Sequence, residues 1–190
     1  MNTVDMRDEF TRKANQVSAF VSVIENMNQA FEKCVSLCLE KMACAKDGQR
    51  RIAAPDLASD RVAGFENLCL KNGIDLVGKN LRQFEEGVDL GFTFTDFGIA
   101  ETGTLVVRCD SEDQRLASMI SELHVALLFE KDLRAGVFDV ERELAGFTGK
   151  PGSYTAFITG ASRTADIERV LALGVHGPLE LHIMILGEEK

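Results

Sequence analysis

The sequence predicts an α/β protein, a three-layer α/β/α arrangement around a mostly parallel sheet, forming one domain over residues 1–190. Three observations lead there. Short β-branched runs alternate with amphipathic helical stretches, which is the rhythm of right-handed βαβ crossovers. With 190 residues, 45% hydrophobic and 27% charged, the chain can bury a sizeable core, and wholesale disorder is excluded. Only 3 prolines occur, and no linker, internal repeat or low-complexity stretch divides the chain.

The elements follow in order. Met6, Phe10, Ala14 and Val17 share one helical face and open the chain with an amphipathic helix. Ser18 to Ile24 is short and β-branched, a strand. Asn26 to about Ala45 is a long helix carrying Cys34, Cys38 and Cys44 among Met27, Phe31 and Met42 at helical intervals. Arg51 to Ala54 is a brief strand stopped by Pro55. Val62, Phe65, Leu68 and Cys69 recur helically within Ser59 to Lys71, and Asn72-Gly73 ends that helix before a strand at Ile74 to Val77. In Val88 to Phe94 the apolar residues alternate with Asp89, Gly91 and Thr93, which predicts a strand with one core face and one more polar face. Two extended pieces then flank a Thr102-Gly103 turn, Asp113 to Ile120 is helical, and His124 to Phe129 is a buried strand. Leu133, Val137, Val140, Leu144 and Phe147 predict another amphipathic helix. A turn at Lys150-Pro151-Gly152 precedes a strand from Tyr154 to Thr159, and Leu179 to Leu186 is the last strand.

Charge narrows the function. Lys+Arg is 21 and Asp+Glu is 30, a net charge of −9 that repels phosphate backbones and excludes general nucleic-acid binding. No apolar run approaches the roughly 20 residues of a membrane span. The start, MNTVDMRDEF, lacks the basic flank and apolar stretch of a secretory signal, so a cytoplasmic location is expected. An odd count of 5 cysteines argues against a disulfide framework. The spacing of Cys34, Cys38 and Cys44 fits the helix period better than a ligand set, so no metal centre is expected in this chain.

Two segments are richer in Gly, Thr and charge than packing requires. The first is Gly98 to Thr104, with Glu101, Thr102, Gly103 and Thr104 between strands. The second is Thr159 to Glu168, followed by Gly174 to Pro178. There a strand ends and a small-residue turn leads toward a helix start, whose free N–H groups and positive dipole suit an anion. Gly160 allows close backbone approach, Ser162 and Thr164 add hydroxyls, and Arg163 can clamp a carboxylate or phosphate. The same groups also serve as a helix cap, with Asp166 and Glu168 on the dipole and Arg163 paired to one of them. Glu101 reads as a nucleophile or general acid/base, or as a turn acid bonded to neighbouring amides. His176, beside Gly177, is the histidine expected to face a ligand, while His124 and His182 stand in apolar strands as structural residues. No phosphate-binding glycine motif and no catalytic-triad nucleophile turn occurs.

Together GIAETGTLVV (Gly98 to Val107), QRLASMISELHV (Gln114 to Val125) and ITGASRTADIERVLALGVHGPLELHIMIL (Ile158 to Leu186) resemble the LUD (lactate utilization) domain family, LutC/YkgG branch. Two departures stand out: Ala161 and Ser121 occupy positions where the family usually has Pro. The amino-terminal part is short for that branch. The resemblance implies a fold of the NagB/RpiA/CoA-transferase-like group and a role in L-lactate oxidation to pyruvate. It further implies that iron–sulfur clusters belong to partner proteins and that this chain is an accessory component rather than a stand-alone catalyst. The alternative is an independent enzyme or binder acting on a small carboxylate, sugar phosphate or CoA derivative. By analogy with CoA transferases, Glu101 would then be its nucleophile, with Gly160 to Thr164 as an anion cradle. A homodimer is compatible with either.

Overall fold

The structure, a computed structural model, describes residues 3–41, 47–55, 57–147, 154–164, 172–173 and 177–187. The chain opens with α1 (Thr3–Gln16), β1 (Ala19–Ile24), α2 (Met27–Glu40), β2 (Arg50–Ala53), α3 (Ser59–Lys71) and β3 (Ile74–Val77). It continues with β4 (Val88–Phe94), β5 (Phe97–Ile99), β6 (Thr104–Cys109), α4 (Glu112–Ala117), β7 (Ser121–Phe129), β8 (Leu133–Arg134) and α5 (Glu141–Phe147). The described elements end with β9 (Tyr154–Ile158), the pair β10 (Arg163–Thr164) and β11 (Ala172–Leu173), and β12 (Glu180–Leu186).

Six strands form one all-parallel sheet in the order β1-β12-β7-β4-β2-β3. Side chains alternate across it, and those of the central strands β4 and β7 are buried on both sides. Leu123, Val125 and Leu127 of β7, with Met184 and Leu186 of β12, pack under α2 and α3 through Phe31 and Phe65. Those two rings stack at 4.3 Å, and Phe92 meets both edge-on. Ala126 and Leu128, with Leu181, Ile183 and Ile185, face the other way onto Phe10 and Ala14 of α1 and onto Leu105. The parallel sheet flanked by helices is the predicted α/β class.

Local chemistry fixes the helix starts. The Asn26 side chain caps α2 by accepting from the Gln29 amide at 3.0 Å. Ser111 and Gln114 form a reciprocal capping box on α4. Cys34 and Cys38 lie on the buried stripe of α2, as their spacing predicts.

The structure corrects three expectations. The polar face predicted for β4 is buried, because β4 lies inside a sheet covered on both sides. Its polar residues are satisfied there: Asp89 accepts from the Arg51 amide at 2.8 Å, and Thr93 meets His124. The helix predicted from Leu133 to Phe147 is instead three pieces. Leu133 and Arg134 pair with β5, Gly136 is extended, and Val137–Val140 is a 3₁₀ turn, so the α-helix starts only at Glu141. Finally, a second sheet, β8-β5-β6-β9, packs beside α1, with its outer face under Val140, Leu144 and Phe147. Nothing in the sequence reading anticipates this sheet as a separate layer.

Candidate functional site

A cavity of about 340 Å³ lies between β9 and the amino-terminal halves of β7 and β12. Two loops close one side. Gly160, Ala161 and Ser162 leave the end of β9, and Gly177 and Pro178 lead into β12. They are tied together, since the Ser162 amide donates to the Pro178 carbonyl at 3.1 Å, and a Gly177 side chain would press on Ser162. Leu179 in turn donates to the Glu122 carbonyl, which anchors the loop to β7. Ile158, Ala156 and Leu181 supply apolar wall, with Met119 and Tyr154 more exposed.

His124 reaches the same cavity from β7 although it is only 1% exposed. Its Nε2 lies 2.8 Å from Thr93 Oγ1 on the neighbouring strand β4. Strand register dictates this, because Gly91 pairs with His124 and Thr93 with Ala126, so all four face the side of the sheet that carries α1 and the second sheet. Gly91 has to be glycine: a Cβ there would stand 1.8 Å from the Ala117 carbonyl oxygen. Burial lowers the His124 pKa to about 4, so the ring is neutral near pH 7. The sequence signal was faint: a polar residue interrupting an apolar run on each of two adjacent strands.

The predicted site residues separate into groups. Gly160, Ser162 and Gly177 meet at the cavity. Thr104 lies beside it through a chain of hydroxyls, with Thr102 Oγ1 donating to Thr104 Oγ1 and Thr104 bonded to Thr159, each at 2.8 Å. Gly103 and Gly160 share a second partner, the end of α1. Both have positive φ, and a Cβ would stand 2.4 Å from the Ala14 nitrogen at Gly103 and 2.2 Å from the Val17 carbonyl oxygen at Gly160. Glu101 is exposed and does not line the cavity. Its Oε1 accepts from the Val137 amide at 2.9 Å, binding the loop after β5 to the turn after β8. Arg163 and Thr164 are strand and pair antiparallel with Leu173 and Ala172, and the helix expected to follow them lies outside the described residues. Asp166 and His176 lie outside the described residues, as do the side chains of Arg163 and Thr164.

His182, the remaining histidine, sits away from the cavity. It stacks on Phe20 at 4.9 Å and bonds Glu180, which also pairs with Lys41 at 2.6 Å. Burial pulls the Glu180 pKa upward, but the bonds from Lys41 and His182 outweigh it and leave the carboxyl below its ordinary range.

The described cysteines do not form a ligand set. Cys34, Cys38 and Cys69 are packed among apolar side chains between α2, α3 and the sheet, and Cys109 is buried in β6. Burial raises the thiol pKa of Cys34, and burial together with Glu66 pushes Cys69 up to about 12, so these groups keep their protons. Cys44 lies outside the described residues. Among the described residues no group of three or more His, Cys, Asp or Glu is placed to hold a metal ion, and no helix is long and apolar enough to cross a membrane.

Residues 7–186 match the LUD domain. Lactate utilization protein C of Halalkalibacterium halodurans is 35% identical over 114 residues, which is 58% of this chain and 50% of that protein. The protein of the same name from Shouchella clausii is 32% identical over 106 residues, 55% of this chain and 46% of its own length. The aligned part thus spans about half the length of these curated relatives. Among solved structures, a DUF162 family protein from Deinococcus radiodurans superposes with a TM-score of 0.64 over 98% of this chain and 99% of its own. At 16% identity that likeness concerns the fold.

Proposed function

The chain belongs to the LUD domain family, and from that premise we propose that it is a lactate utilization component of the protein C type. In this reading it supports the oxidation of L-lactate to pyruvate together with iron–sulfur partner proteins. The observation that carries it is the family match across residues 7–186, joined to relatives named Lactate utilization protein C at up to 35% identity. In this reading the chain is accessory, and electrons leaving lactate pass to the partners' clusters. The test is reconstitution with candidate iron–sulfur proteins from the same organism. Co-elution and a saturable increase in lactate-dependent dye reduction are expected. Unchanged dye reduction without complex formation, across a wide concentration range, would overturn the accessory role.

One observation favours a second reading, that of an independent binder of a small carboxylate, sugar phosphate or CoA derivative. It is the cavity bordered by Gly160, Ser162 and Gly177. In this reading the loop carrying Arg163 and Thr164 receives the anionic group. A thermal-shift series with L-lactate, pyruvate, phosphate and CoA tests it, since a ligand at a hundred times its Kd adds about 2.7 kcal/mol. Arg163→Ala should remove the shift and leave the unliganded Tm nearly unchanged. A lowered unliganded Tm, with no ligand shifting the wild type, would make Arg163 structural.

A further inference from the structure

The cavity carries its own statement about what it can hold. Its described wall contains no Asp, Glu, Lys or Arg, so an ion entering this part would find no opposite charge there. Its volume of about 340 Å³ is that of roughly eleven waters at about 30 Å³ each, so a three-carbon acid would leave most of it wet. The wall is mixed. Ile158, Ala156 and Leu181 are apolar, while His124 and Ser162 are polar.

His124 is the directional group in that wall. The Thr93 hydroxyl has no other acceptor among the described residues, so it donates to Nε2; this fixes the ring plane and puts the proton of the neutral ring on Nδ1, which has no hydrogen-bond partner among the described residues. The His124 ring lines the cavity, and with Nε2 turned to Thr93 it is Nδ1 that is left to face it. Nδ1 is therefore reached from the cavity. Buried polar nitrogens are rarely left unmatched in a folded protein, and an open Nδ1 beside apolar wall is the arrangement of a ligand site.

We propose that this cavity binds an uncharged, amphipathic organic molecule larger than a three-carbon acid, whose carbonyl or hydroxyl oxygen hydrogen-bonds to His124 Nδ1 while its apolar body lies against Ile158, Ala156 and Leu181. Thr93 is a positioning residue, holding the imidazole so that Nδ1 points inward. The neutrality of the ring fits an uncharged head group, which needs one hydrogen bond and no counter-ion. The inference stands on the cavity and does not depend on the lactate reading; it is an alternative to the anion-binder reading of the same cavity.

The experiment uses the full chain with ¹⁵N-labelled histidine. With 3 histidines in the chain, the ring resonances are few, and that of His124 is assigned by elimination with His176→Gln and His182→Gln. The probe is 1-tetralone, an uncharged ketone on an apolar ring system. Its hydrocarbon counterpart tetralin and the anions 1-naphthoate, L-lactate and pyruvate are the comparison ligands. Saturable binding of 1-tetralone with a shift at His124 Nδ1 is expected, with tetralin weaker by roughly tenfold for loss of one hydrogen bond. His124→Phe should weaken 1-tetralone by a similar factor and leave tetralin nearly unaffected. Three results would each overturn the proposal: no probe binding up to its solubility, binding that leaves Nδ1 unmoved, or an anion perturbing His124 at lower concentration than 1-tetralone. The wild-type titration decides the matter even if the variant does not fold.

Discussion

At the scale of single residues, burial separates His124 from an ordinary histidine. Its folded pKa of about 4 lies below the ordinary 6.5, so the unfolded chain takes up the proton first. The stability of the neutral form is complete above pH 6.5 and is lost progressively as pH falls toward 4. Fully developed, the loss is about 3 kcal/mol. Urea midpoints measured from pH 7 to 4 should therefore fall for the wild type and fall less for His124→Gln; parallel slopes would assign the acid sensitivity to other groups. Glu101 makes a different prediction. Its carboxylate accepts from the Val137 amide, so Glu101→Ala should cost about 1 kcal/mol in denaturant titration, and Glu101→Gln, which keeps an acceptor, should recover most of it. Composition around Glu101 is equally compatible with a catalytic carboxylate and a turn acid. The partner amide belongs to a turn more than thirty residues later, which local pattern does not reveal.

Elements were legible where their own period shows. Helices α1 to α3 and the strands β1, β3 and β12 are written in apolar spacing and caps, and removing the Asn26 cap by Asn26→Ala should cost about 1 kcal/mol. The pieces from Leu133 to Phe147 were not legible. Two residues pair with a distant strand and one turn is 3₁₀, while the apolar spacing alone looks helical throughout. The α1 helix shows what the two glycine-bearing turns have in common. Gly103 and Gly160 both come against its last turn at positive φ, so Gly103→Ala and Gly160→Ala should each destabilise by about 2–4 kcal/mol. Thermal denaturation of the two variants checks this; wild-type Tm in either would mean that α1 can shift away without loss. The glycines that drew attention as possible ligand contacts therefore also have a packing duty, one that a linear reading does not display.

For the whole molecule, the α/β class and the parallel sheet follow from element order, because βαβ units allow few other arrangements. The candidate site was legible in part. Gly160, Ser162 and Gly177 are brought to one cavity, but the cavity exists only because a second sheet stands beside α1, and that sheet is made of short strands paired across long separations. The strand order carries one more consequence. The last strand, β12, lies between β1 and β7, so the first strand of the sheet has no parallel neighbour until the last has been made. A nascent chain on the ribosome must carry β1 unpaired, with Ala19 and Ile24 uncovered, until Glu180–Leu186 has emerged. Such long-range closure slows folding. In pulse-labelling during refolding, amides of Ala19–Ile24 should gain protection at the same late moment as those of Glu180–Leu186, so that the sheet is completed by a single closing step.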